Sequence, residues 1–142
     1  MEKGLYFAYG SNMDPRKLGD RVGAVRKVGN ATLYHRRFLI NARGVATVKI
    51  DHSSRVWGVL WKLDASQFTL LDRYEGVRNG LYRRETASVE HGQSLARAML
   101  YVAAQDESGE PREGYMELIV EAARRAAFPA DYVEQLCTWI TK

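Results

Sequence analysis

The amino-acid sequence predicts an α+β fold, in which a small mixed β-barrel or curled sheet of five to six strands carries peripheral helices. Three observations lead to this prediction. Segments with strand character follow one another along most of the chain, capped helix patterns are inserted between them, and the C-terminal part is helical. With 142 residues the chain can form one domain with a sizeable core, and we expect a single domain over residues 1–142.

In the N-terminal part, a short strand leads into a turn and a helix. Residues 5–9 form an apolar run that ends at a Gly-Ser-Asn turn, residues 10–12. Asp14 and Pro15 then predict a helix start, with aspartate as the N-cap and proline at the first helical position. We expect this helix to end near residue 21.

Three further strands are expected next. Residues 31–41 are rich in β-branched and aromatic side chains, and residues 45–50 alternate in polarity. Residues 55–63 have the strongest strand pattern of the chain and follow a predicted turn at residues 51–54. The segments on either side of this turn are expected to pair as a β-hairpin.

The second half of the chain begins with a helix that Asp64 caps and that Gly76 ends after Glu75. Two strands and two helices complete the predicted fold, over residues 81–90, 95–103, 112–126 and 130–140.

Composition and charge limit the function classes. The net charge is +4, but Lys and Arg outnumber Asp and Glu by 12 to 4 in residues 1–63, whereas the acids prevail by 13 to 9 in residues 64–142. Such a basic excess can form a nucleic-acid face. Because no compact basic run is present, we favour a solvated surface that attracts small anionic substrates, and we expect no nucleic-acid partner.

Location and cofactor use are predicted from what the sequence lacks. No apolar run is long enough to cross a bilayer, and residues 1–4 do not have the basic-then-apolar layout of a signal peptide. The single cysteine, Cys137, excludes an internal disulfide. We therefore expect a cytoplasmic protein without a membrane partner. The sequence does not distinguish a monomer from a homodimer, and both stay open. No ligand cluster has useful spacing for a metal, and we expect no cofactor.

Glu75 is a carboxylate in an unusual position. On the predicted helix it lies seven residues after Phe68 and one turn beyond Leu71, at the edge of an apolar arc that Leu70 and Tyr74 extend. Burial and the negative end of the helix would both raise the pKa of this carboxyl group. A glutamate with a raised pKa can take up and return protons near neutral pH.

Periodicity alone favours another interpretation, in which Glu75 reaches solvent or pairs with Arg78 or Arg83. The turn after the first strand bears on this choice. A glycine-containing turn before a helix start can expose consecutive backbone N–H groups, which would stabilise a substrate carboxylate or a developing oxyanion. An ordinary tight turn is the alternative.

Four segments resemble the motifs of one known family. They read Tyr-Phe-Ala-Tyr-Gly-Ser-Asn-Met (6–13), Gly-Val-Ala-Thr (44–47), Val-Trp-Gly-Val-Leu-Trp (56–61) and Leu-Asp-Arg-Tyr-Glu-Gly-Val (71–77). In this order and at this separation, they resemble the YFAYGSN, GxAT, VWGVxW and LDxxEGV motifs of γ-glutamylcyclotransferases and their AIG2-like relatives. The resemblance covers nearly the whole chain, and its first and last motifs together are specific.

The resemblance implies a γ-glutamylcyclotransferase-like barrel with a pocket where the turn faces a glutamate. Carried over by motif, Glu75 is the catalytic acid/base. Tyr101 matches a family tyrosine only after a shift of two residues, which would keep the same strand face. The resemblance also implies a set of substrate-binding residues: Tyr6, Tyr9, Gly10, Ser11, Asn12, Met13, Tyr82 and Tyr115.

The implied reaction is an internal aminolysis that needs no cofactor. The α-amine of a γ-glutamyl compound attacks its own γ-amide carbonyl, which yields 5-oxoproline and a free amine or amino acid. Nucleophile and electrophile share one molecule, so that Glu75 has only to move protons. The alternative is a non-catalytic module of the same fold that binds a small ligand or regulates a partner.

Other chemistry is less well supported. Ser11 lacks both a nucleophile elbow and a supporting histidine pattern. Cys137 is better explained as a packed core thiol than as a nucleophile. Trp57, Trp61 and Tyr101 are better explained as core aromatics than as a platform on which bases stack.

Overall fold

In the computed structural model, which describes residues 3–140, five strands close into a barrel. Around the barrel they follow the order β1-β3-β2-β4-β5, and all neighbours are antiparallel except β1 and β5, which are parallel. The predicted α+β class and small mixed barrel are confirmed. The strands are β1 (Lys3–Ala8), β2 (Arg26–Ile40), β3 (Ala46–Asp64), β4 (Tyr82–His91) and β5 (Ser94–Ala103).

Four α-helices lie outside the barrel in the described part of the chain, and the N-terminal caps of the first two follow the sequence signals at Asp14 and Asp64. The Asp64 carboxylate and the Gln67 side chain form a reciprocal capping box at the second helix, and Gly76 ends that helix with φ 68°. The predictions for Met1 and Glu2 lie outside the described residues. The helices are α1 (Pro15–Val22), α2 (Ala65–Glu75), α3 (Tyr115–Arg125) and α4 (Ala130–Cys137).

The hairpin predicted around residues 51–54 is wrong, because the segments on both sides of it form one strand, β3. Both segments pair with β2, and residues 51–54 lie in a bulge opposite the single residue His35, whose φ is 66°. Within the bulge, the Asp51 carboxylate accepts hydrogen bonds from the two serines that follow within three residues. These are the local contacts of a turn, but the chain continues along the same partner strand instead of reversing.

The apolar arc of α2 is narrower than predicted. Leu71 is fully buried and Phe68 packs against the core, whereas Leu70 and Tyr74 are 40% and 54% exposed. The other side of the helix is attached to the barrel by polar contacts. Asp72 accepts a 2.6 Å hydrogen bond from the Tyr101 hydroxyl on β5 and two from Arg84 on β4. Leu71, Phe68 and the Asp72 carboxylate thus attach α2 to the barrel, and its last residue, Glu75, lies at the end of the barrel.

No helix within residues 3–140 is long and apolar enough to cross a membrane. Trp61 and Tyr101 are buried in the core, and Trp57 packs against it, as predicted for core aromatics.

Strand β3 passes so close to β1 that one position admits only glycine. A Cβ atom on Gly58 would lie 2.6 Å from the Phe7 ring and 2.7 Å from the Ala8 carbonyl oxygen. Phe7 is fully buried and Ala8 belongs to the strand backbone, so neither can move away without disturbing the barrel. Strand β1 ends at Ala8, so this close approach also fixes where the following turn begins.

Gly58→Ala is expected to destabilise the fold by at least about 2 kcal/mol, as forced overpacking of a core does. Gly19 is the matched control, because it lies inside α1 and a Cβ there would meet nothing within 4 Å. Gly19→Ala should stabilise the protein by about 0.5–1 kcal/mol through helix propensity. Urea unfolding of both variants measures the two effects. Equal stability of the two variants would show that the strands have room to separate.

Candidate active site

A cavity of about 160 Å³ opens at the end of the barrel, between the turn after β1 and the C-terminal end of α2. Glu75 lines it, together with every residue predicted to bind substrate except Met13. Met13 is buried and faces a second cavity, on the side of the turn where Trp61 lies. The cavity is also lined by residues that the predicted set does not contain: Arg43, Val45, Ala46, Tyr74, Leu81, Tyr101 and Arg112.

Glu75 stands at the C-terminus of α2 with its carboxyl group turned into this cavity. Burial raises the pKa of the group to about 7, although the charge of Arg21 and a hydrogen bond from Asn12 act in the opposite direction. The alternative of a solvent-facing, arginine-paired glutamate is not what the structure contains. Within residues 3–140, no ion pair involves Glu75, since Arg83 pairs with Glu85 and Arg78 is exposed.

Asn12 connects Glu75 to the rest of the site. Its side-chain amide nitrogen donates to the Tyr6 hydroxyl at 3.0 Å and to the Glu75 carboxyl at 3.4 Å. Its side-chain oxygen accepts from the Arg21 guanidinium, and its backbone oxygen accepts from the Trp61 indole at 3.0 Å. Asn12 is only 3% exposed, and three of these contacts fix its side-chain amide, which in turn holds the Glu75 carboxyl group.

The turn after β1 supplies backbone donors. Residues Ser11–Met13 form one turn of 3₁₀ helix, and within the described chain no group accepts from the N–H of Gly10, Ser11 or Asn12. The N-terminus of α1 is occupied by its predicted cap, because the Asp14 carboxylate accepts from the backbone N–H two residues on. The donors that face the cavity are therefore those of the turn itself.

Gly10 is adjacent to the opposite wall of the cavity. A Cβ on this residue would lie 3.4 Å from the Ala46 side chain and 3.6 Å from the Tyr115 hydroxyl. A Cβ at this position would therefore already be in van der Waals contact with the opposite wall of the cavity.

Two tyrosines are held by the backbone of one residue, Ala46. The Tyr82 hydroxyl donates to the Ala46 carbonyl at 2.7 Å, and the Tyr115 hydroxyl accepts from the Ala46 N–H at 3.0 Å. Burial raises the pKa of Tyr115 to about 12 and that of Tyr6 further, so that both hydroxyls stay neutral at physiological pH. The hydroxyls of Tyr6 and Tyr115 each accept a hydrogen bond from the protein, which leaves the hydroxyl proton free to donate to a ligand.

The remaining predicted tyrosines support the walls. Tyr9 donates to the backbone oxygen of Tyr101 at 2.5 Å, which ties the end of β1 to β5. The Tyr101 hydroxyl is engaged by Asp72 and thus braces α2 rather than contacting Glu75. No group of three or more His, Cys, Asp or Glu side chains in residues 3–140 is placed to hold a metal ion.

The site contains residues that sequence analysis missed, Arg21 foremost. This arginine comes from the last turn of α1, stacks on the Tyr74 ring at 3.8 Å, and donates to Ser11 at 3.1 Å. It belongs to no motif, and nothing local distinguishes it from the other basic residues of the N-terminal half. Only the packing of α1 beside α2 reveals it.

Comparison with known proteins agrees with this architecture. Residues 55–136 match the AIG2-like family. The chain is 30% identical over 148 residues to the human γ-glutamylcyclotransferase and 29% identical over 147 residues to the bovine one; each match covers 95% of this chain and 78% of the relative. The solved structure of a γ-glutamyl cyclotransferase, 27% identical, superposes with a TM-score of 0.92 and covers 99% of this chain and 90% of that one.

Arg21→Gln is expected to raise the pKa of Glu75 above its value of about 7, because the nearby positive charge favours the carboxylate. Lys17→Gln removes one exposed charge from the same helix and serves as control. Carbon-13 NMR of labelled glutamates measures the pKa of Glu75 in both variants. The Glu75 signal is assigned by its loss in Glu75→Gln. A pKa that stays in place or falls in Arg21→Gln would show that Arg21 does not set this balance.

Proposed function

Since the chain belongs to the AIG2-like family, with the γ-glutamylcyclotransferases as its relatives, we propose that it is itself a γ-glutamylcyclotransferase. Its substrates are γ-glutamyl amino acids or γ-glutamyl amines, and its products are 5-oxoproline and the free amine. One observation supports this most strongly. A carboxyl group with a pKa of about 7 shares a single cavity with unpaired backbone donors and tyrosine hydroxyls.

The γ-glutamyl head binds at the inner end of the cavity. The N–H groups of residues 10–12 and the hydroxyls of Tyr6 and Tyr115 can all donate to negatively charged oxygen. The α-carboxylate of the head and the oxyanion that develops on the γ-carbonyl are the two ligands that such donors suit. Holding both ends of the head bends it toward the five-membered ring.

Glu75 moves the protons of the reaction. As a carboxylate it takes a proton from the substrate ammonium, and the freed amine attacks the γ-carbonyl carbon. A C–N bond forms and an oxyanion appears. Glu75 then gives its proton to the leaving nitrogen and, again a carboxylate, takes the second proton from the attacking nitrogen as the γ-amide C–N bond breaks. The departing amine receives this second proton from Glu75 and leaves as an ammonium, which restores the carboxylate. A pKa near 7 allows the group to act both as base and as acid near neutral pH.

Two effects contribute to the rate of the reaction, the positioning of the substrate and proton transfer. Well-oriented intramolecular reactions reach effective molarities of about 10⁵ M or more, so that bending the substrate supplies much of the rate. General acid–base catalysis adds roughly 10²–10⁴-fold. Asn12 contributes as a positioning residue, because it holds Glu75 beside the turn.

The finer expectations from the sequence stay predictions: a cytoplasmic location, a single domain over residues 1–142, no cofactor, no nucleic-acid partner, and a monomer or homodimer.

The alternative, a module that binds a γ-glutamyl ligand without turnover, does not account for Glu75. Binding alone would favour a permanently charged or neutral partner over an acid that titrates near 7.

Glu75→Gln is expected to fold and to lose at least about 100-fold in kcat, because the amide can neither take nor return a proton. The assay follows release of 5-oxoproline from a panel of γ-glutamyl compounds. Glu134→Gln is the control, since Glu134 is exposed on α4, away from the cavity.

Near-normal turnover by folded Glu75→Gln would overturn the role of Glu75. If the wild-type protein released 5-oxoproline from none of the compounds but bound one of them tightly, the binding module would be favoured instead.

A further inference from the structure

Two arginines at the mouth of the cavity, Arg43 and Arg112, form no ion pair with any of residues 3–140. Both side chains are exposed and both line the cavity. Five other arginines in residues 3–140 form ion pairs with carboxylates, as Arg36 does with Glu85 at 3.0 Å, whereas further unpaired surface arginines such as Arg26 and Arg78 do not line the cavity. Further pairs of this kind join Arg37 to Asp51, Arg83 to Glu85, Arg84 to Asp72 and Arg125 to Glu121.

The two arginines are held side by side by the backbone. Nε of Arg112 donates to the carbonyl oxygen of Arg43 at 3.0 Å, and the Arg112 N–H donates to the carbonyl oxygen of Gly44 at 3.1 Å. Gly44 has φ 82°, and a Cβ there would lie 2.7 Å from Cγ of Arg112. The loop before β3 and the segment before α3 are thus in close contact, which leaves the terminal nitrogens of Arg112 and the whole guanidinium of Arg43 available for a ligand.

The positive charge acts on the cavity and not only on solvent. Arg43 and Tyr82 line the same cavity, and the charge of Arg43 opposes the rise that burial causes in the pKa of Tyr82. The Tyr82 hydroxyl donates to the carbonyl oxygen of Ala46, the first residue after the loop of residues 41–45 that contains Arg43. The basic pair therefore adjoins the wall that carries Tyr82 and Tyr115.

The rest of the mouth is apolar. Tyr74 and Leu81 also line the cavity, and they are 54% and 38% exposed, which is high for large apolar side chains. A ligand that leaves the inner cavity thus meets an aromatic ring, a leucine and two guanidinium groups. This combination suits a side chain of moderate size next to a carboxylate.

We propose that Arg43 and Arg112 form an anion subsite that binds the carboxylate of a leaving amino acid. The inference rests on the proposed function. The γ-glutamyl head already has its donors at the turn, beside Glu75. The part of the substrate beyond the scissile amide must point outward, and a leaving amino acid carries its carboxylate two bonds from the amide nitrogen.

Two substrates that differ only in this carboxylate test the proposal: γ-glutamyl-alanine and γ-glutamyl-ethylamide. For the wild-type enzyme, kcat/KM from 5-oxoproline release should be about 10-fold or more higher with γ-glutamyl-alanine, as expected of one charge-assisted contact. The ratio should fall when NaCl is raised from about 0.02 to 0.5 M, since salt screens exposed charges.

In the double variant Arg43→Gln/Arg112→Gln, the ratio should fall toward one. Arg26→Gln, which removes an exposed charge at the start of β2, should keep the wild-type ratio. A ratio removes the effect of any general loss of folded enzyme, because both substrates report on the same sample.

The results distinguish a failure of the anion subsite from a failure of the proposed function. Equal turnover of both substrates by the wild-type enzyme would overturn the subsite and leave the proposed function intact. An unchanged ratio in the double variant, with both kcat/KM values lowered alike, would assign the arginines to the γ-glutamyl head or to the fold and would also overturn it. Release of 5-oxoproline from neither substrate would count against the proposed function, and the subsite would fall with it.

Discussion

The site depends on a balance at Glu75, whose carboxyl group burial drives toward the neutral acid while Arg21 and Asn12 draw it toward the carboxylate. The balance has a cost. The folded pKa of about 7 exceeds the reference value of 4.5, so the stability that Glu75 contributes is fully present below about pH 4.5 and is lost as the pH rises through 7. At neutral pH the protein is therefore less stable than it would be without this group, a trade-off between stability and activity that is common at active sites.

The barrel brings the parts of this balance together from distant positions in the chain. Glu75 comes from the end of α2, Asn12 from the turn after β1, and Tyr115 from the start of α3. Ala46, the first residue of β3, holds two of the tyrosines through its backbone and packs beside Gly10. Strand pairing positions β1 and β3, and with them the turn and Ala46, so the geometry of the site follows from barrel closure rather than from any single loop.

Sequence analysis found the features that local signals encode. The capping box at Asp64 and the left-handed Gly76 are contacts between near neighbours, and both ends of α2 follow from them. The bulge at residues 51–54 has the local contacts of a turn, and only the register with β2 shows that the chain does not reverse there. Arg21 and the basic pair at the mouth act across the fold, so no local pattern marks them. Met13 shares a motif with the site but faces another cavity.

The most direct test of the central claim is a crystal structure of the protein soaked with 5-oxoproline, the product common to all the proposed substrates. The account predicts that the product carboxylate accepts hydrogen bonds from the N–H groups of residues 10–12 and that a Glu75 carboxyl oxygen lies within about 3.2 Å of the ring nitrogen. Product bound elsewhere, or bound at the turn with Glu75 turned out to solvent, would contradict it.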